Sequence, residues 1–287
     1  MRGLWQRLPV VVRAVVVGCF VSGVGHEPAG VLFLANLQWW RTVPWSAPFV
    51  ILWLWLFWQY FGGRWWPAST SQARADGLAA PPLSPRMWRW ALVAGGLGMI
   101  SIALLSIVLS PITPKTFKVF YSIFVRTPFP TVVVEVITMS AVAGIVEEAG
   151  FRGYMQGMIE RRHGAVVAIA VTTFFFVIVH FGDIQVLNPP RAFAIAVISV
   201  WYGILAHLAR SIVPGAILHT LGDAFGVLML WFYWKYGTIE NRLLGYAAVS
   251  RSLVFWIYVA GLIVFTAASV WAFLKLARVS RAIRQAA

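Results

Sequence analysis

Glu147 and Glu148 stand side by side in the run GIVEEAGFRG at 144–153, with Arg152 four residues after the second glutamate. Further on, FFFVIVH sets His180 four residues after Phe176, and HTLGD sets His219 four residues before Asp223. A carboxylate beside an imidazole can activate water, and preorganised donors can stabilise the oxyanion that follows. On a helix, residues four apart share a face, so Glu148 can pair with Arg152 and His219 with Asp223. Glu147 lies about 100° around the helix from Glu148 and is left to face elsewhere. Taken singly, each spacing is also what a structural ion pair or an interhelical His–Asp bridge would show. Convergence of the three is what points to chemistry.

The elements that must bring them together are apolar. Of the 287 residues, 60% are hydrophobic and 11% charged, against about 45–50% and about 25% in soluble domains. This is the composition of a membrane protein. The net charge of +14 comes from residues that punctuate apolar runs without clustering. That pattern sets topology and excludes nucleic acid as a partner. Cys19 is the single cysteine, which rules out an intrachain disulfide and a four-cysteine zinc site. Residues 16–19, Val-Val-Gly-Cys, look like a lipoprotein cleavage box, but Arg13 interrupts the apolar stretch. An uncleaved first span is expected.

The fold class expected is all-α, a polytopic bundle with its site inside. Eight spans are expected at about 8–25, 45–61, 89–110, 131–159, 164–187, 192–209, 213–233 and 252–276, each near the roughly 20 apolar residues a crossing needs. The fourth is overlong and must tilt or project into water. With the N-terminus inside, 13 Lys and Arg fall on the cytoplasmic side (Arg2 to the tail Arg284) and 8 outside, including Lys115, Lys118, Arg242 and Arg251. Both termini are thus expected in the cytoplasm. Residues 1–88 read as an N-terminal region with a Trp-rich second span and a flexible loop at 67–86, and 89–287 as the core that holds the motifs within about 130–235. No internal repeat is visible, which weighs against an inverted-repeat transporter.

Glu147 and His180 each lie about 16 residues from a turn centred at 163 to 164, so an antiparallel hairpin puts them at equal depth. Pro214 opens the helix that carries His219, which reaches the same depth if the Arg161–Gly164 turn projects. Glu135 lies about 18 Å along the helix from Glu147 and is left out as a structural or solvated carboxylate. His207 reads as interfacial and His163 as a turn residue, and His26 and Glu27 fall on the opposite side.

The motifs Glu147-Glu148-x-x-x-Arg152, Phe176-x-x-x-His180 and His219-x-x-x-Asp223 resemble the three motifs of the CPBP (ABI) family. That family comprises the type II CAAX prenyl proteases and bacteriocin-processing or immunity membrane proteins. The resemblance implies an intramembrane glutamic endopeptidase that needs no metal or other cofactor. It implies Glu147 as the base, assisted by His180, with His219 and Asp223 at the oxyanion and Glu148, Arg152 and Phe176 in support. Some members carry Asn where this chain has Asp223, so an indirect role for Asp223 through His219 is favoured. The implied partners are the bilayer and a membrane-associated protein or peptide, lipidated or not. The implied location is a bacterial or archaeal plasma membrane.

Two other readings stay open on sequence. Glu147, His180 and His219 match a catalytic zinc ligand set. Intramembrane Glu and His also serve transporters as proton relays, or line the binding pocket of an immunity scaffold.

Overall fold

The computed structural model describes residues 2–110, 124–180, 189–236 and 252–286. The expected outer-side charges Lys115, Lys118, Arg242 and Arg251, and the acids Asp183 and Glu240, lie outside the described residues. Among the described residues the chain is helical throughout: α1 Arg2–Arg7, α2 Val10–Trp39, α3 Ser46–Phe61, α4 Ser71–Leu78, α5 Pro85–Leu109 and α6 Phe129–Val142. The chain continues directly into a π-helical segment Ala143–Gln156, then α7 Gly157–Val179, α8 Pro189–Ala209, α9 Val213–Tyr236 and α10 Leu253–Ala286.

Six helical runs are long and apolar enough to cross a membrane, and Ser46–Phe61 is a shorter apolar helix. The protein is an integral membrane helical bundle. One of the six runs, Phe129–Val179, is two arms. Gly164 takes φ 79°, a conformation glycine adopts at no steric cost, and the chain reverses there. Phe151 and Phe176 consequently meet edge to face at 5.0 Å between centroids, whereas a straight helix would hold them about 37 Å apart. The expected hairpin is present; among the described residues, its two arms, the other five long runs and Ser46–Phe61 make eight apolar helical arms.

Two expectations give way. The first span does not stop near residue 25: α2 runs unbroken through Pro28 to Trp39, because the apolar run resumes after Glu27. Residues 67–86, expected as a flexible loop, hold α4. Arg74 pins that helix by donating to the carbonyl of Tyr60 at 2.8 Å and to that of Trp65. The Tyr154 hydroxyl donates to the Arg74 carbonyl at 2.9 Å, and Leu78 is buried with Phe61, Tyr154 and Ile212.

The start of α2, α4, the start of α5, the Gly164 bend, the α8–α9 turn and the end of α10 gather at one end of the bundle. Ala14 packs with Met155 and Ile159 there, Met87 with Ala209 and Leu276, and the Ile212 N–H donates to the Ala79 carbonyl. Side-chain bonds at a constant offset of 47 residues register α8 parallel to the chain from Arg152 to Glu160. Arg152 bonds Ser199, Gln156 bonds Gly203, and Glu160 bonds His207.

Candidate active site

The first motif lies wholly in the π segment, whose i→i+5 hydrogen bonds make a wider turn than an α-helix; such segments recur at functional sites. Glu148 and Arg152 point into the bundle with no side-chain exposure, Nη1 of the arginine 3.1 Å from Oε1 of the glutamate. Arg152 Nη2 also donates to Ser199 Oγ at 3.2 Å. Its guanidinium lies 4.3 Å from the Phe176 ring centroid and 5.6 Å from that of Tyr202. Phe176 is thus the wall that keeps Arg152 in place, one turn before His180.

His219 approaches from α9, where a Cβ on Gly215 would stand 3.0 Å from Glu148 Oε2. Its Nδ1 donates to Glu148 Oε1 at 3.2 Å. Its Nε2 lies 3.5 Å from Asp223 Oδ2 and 3.9 Å from Glu147 Oε2. The ring is stacked on Tyr202 at 5.1 Å and 15°, so its plane and both nitrogens are fixed. His180 is oriented differently. Its Nδ1 stands 2.6 Å from the Phe176 carbonyl. A carbonyl only accepts, so Nδ1 carries the hydrogen and Nε2 of the neutral ring is bare.

Glu147 turns away from the Glu148–Arg152 pair. Its side chain is 14% exposed, and its Oε1 stands 3.2 Å from His26 Nε2. Glu147, His180 and His26 line one cavity of about 420 Å³ together with Cys19, Ser22, Glu27 and Phe151. His26 and Glu27 are therefore not on the opposite side, as expected from a first span that ended at residue 25. His26 lies 16 residues from Val10 and Glu147 lies 17 from the Gly164 bend, nearly the same distance along two helices that run antiparallel. Close approach sets the contact. A Cβ on Gly18 would stand 2.7 Å from the Gly150 carbonyl, and one on Gly25 would stand 2.3 Å from a methyl of Val146.

Glu135, His207 and His163 do not line the Glu147 cavity. Glu135 is fully buried and accepts from Ser46 Oγ at 2.8 Å. His207 pairs with Glu160 at 2.7 Å, and His163 is exposed at the bend. Sequence reasoning missed His26, Tyr202 and Ser199. Near-equal distance from the helix start was a signal for His26. Nothing in the linear pattern marked the two α8 residues. Among the described residues, no three His, Cys, Asp or Glu form a group that could hold a metal ion.

Residues 129–225 match the model of a protein family described as type II CAAX prenyl endopeptidase Rce1-like. This segment is an Rce1-like domain. It begins at the start of α6, contains all three motifs, and covers about a third of the chain. The match supports, at family level, a CAAX-type intramembrane protease that acts on protein substrates. His26 lies outside the Rce1-like segment. No curated protein and no solved structure matches the chain.

Proposed function

We propose that this protein is a glutamic intramembrane endopeptidase, in which Glu147 activates water for attack on a peptide bond of a membrane-associated protein. The observation that carries this reading is the position of Glu147, on the wall of a cavity shared with His180 and free of the Glu148–Arg152 pair. The bare Nε2 of His180 can accept from the same water that Glu147 deprotonates. His219 Nε2 is the oxyanion donor, its ring set by Tyr202 and by Glu148 at Nδ1. Asp223, 3.5 Å from the same Nε2, acts by orienting His219 and not by contacting the oxyanion, since an ionised carboxylate would repel it. Residues 89–287 form the catalytic core in this reading. The basic end of the bundle, which bears both termini, faces the cytoplasm of a bacterial or archaeal cell.

The test compares membrane-protein termini in cells carrying the wild type and Glu147→Gln. New termini that vanish with Glu147→Gln and with His180→Ala, while both variants fold, are the expected result. Wild-type cleavage by either variant would sink the mechanism. Chelator treatment of the purified protein separates this reading from a zinc protease, which would lose activity and regain it with added zinc.

A further inference from the structure

The proposed mechanism supplies a base and an oxyanion donor, and the proton that Glu147 takes from water must still reach the departing amine. An amide nitrogen leaves poorly as an anion, so something near Glu147 must protonate it. His26 is placed for that step. Its Nε2 stands 3.2 Å from Glu147 Oε1, on the oxygen that does not face His219. That nitrogen is engaged with Glu147, the proposed base itself. The His26 side chain is 36% exposed against 14% for Glu147, which puts it on the more open side of the shared cavity. Its position is fixed by the glycine-mediated approach of α2 to the π segment at Gly18 and Gly25.

We propose that His26 is a catalytic residue, the proton carrier to the leaving amine; the proposal rests on Glu147 as the base. Glu147 takes a proton from water as the hydroxide oxygen bonds the scissile carbonyl carbon, whose oxygen becomes the oxyanion facing His219. In the neutral His26 tautomer with its hydrogen on Nδ1, the proton on Glu147 crosses to Nε2. The oxyanion then re-forms the carbonyl and the C–N bond breaks. Its electron pair goes to nitrogen, which takes the Nε2 proton. Glu147 returns to carboxylate and His26 to neutral imidazole, and one water has been consumed. This assigns a catalytic role to α2, outside the Rce1-like segment.

The test uses the peptide bond identified from the comparison of termini, made both as the amide and as an ester with a phenolate leaving group that needs no proton. His26→Ala and His26→Gln are expected to cut amide cleavage by about 10²-fold or more, the usual range for a general acid, and to change ester cleavage only a few-fold. Glu147→Gln abolishes both. Added imidazole restores amide cleavage to His26→Ala, because the vacated site borders the cavity. Equal losses on amide and ester would overturn the proposal and make His26 a support for Glu147. Full amide activity in His26→Gln would overturn it too. Wild-type rates on both substrates in Glu147→Gln would instead refute the glutamate mechanism on which it rests.

Discussion

Arg152 and Glu148 form an ion pair at 3.1 Å in which neither side chain is exposed. Removing Glu148 strands the buried Arg152 charge, and removing Arg152 leaves the buried Glu148 without its guanidinium partner, facing His219. Arg152→Ala should therefore destabilise the protein by about 3–5 kcal/mol, read as a fall in thermal midpoint in detergent. The double variant Arg152→Met with Glu148→Gln should recover much of that loss, since it strands no charge. If both variants melt alike, the pair is not what holds this region.

Asp223 stands at the Nε2 of His219, at 3.5 Å. Asparagine keeps an acceptor oxygen there and drops the charge. Asp223→Asn should retain cleavage within about tenfold, whereas Asp223→Leu should lose about 10²-fold or more, the scale of a misplaced catalytic group. Equal and complete loss in both would assign the carboxylate charge a direct role. Steady-state rates on the identified peptide decide it.

Gly25 lies where any side chain would collide with Val146, and it adjoins His26. Gly25→Val should cost about 1–3 kcal/mol through overpacking and push α2 away from the π segment. Cleavage should fall more than stability does, because His26 moves from Glu147. A melting shift with unchanged cleavage would mean the α2 contact matters to packing alone.

Glu135 provides the contrast, being wholly buried and bonded to Ser46. Ser46→Ala should lower stability by about 1–3 kcal/mol, the cost of a stranded acceptor. Cleavage by the folded protein should stay at the wild-type rate. A cleavage defect at unchanged stability would bring Glu135 into the active site.

The sequence by itself determined the relations that lie within one helix or across one short turn. Glu148 and Arg152 share a face because periodicity fixes residues four apart, in the wider π turn as in an α-helix. His219 and Asp223 share one for the same reason. Glu147 and His180 share a cavity because a turn at Gly164 makes equal residue counts equal depths. Apolar runs marked the helical arms because a bilayer crossing demands such runs. Tertiary structure alone decided what stands opposite those faces. His26 meets Glu147 because α2 continues past Glu27 and glycines let it close on the π segment. Tyr202 stacks on His219 because the 47-residue register of α8 places it there, and α4 is ordered by bonds to Tyr60, Trp65 and Tyr154. Contacts between elements depend on rotation and depth set by packing, which a linear pattern of residue types does not carry.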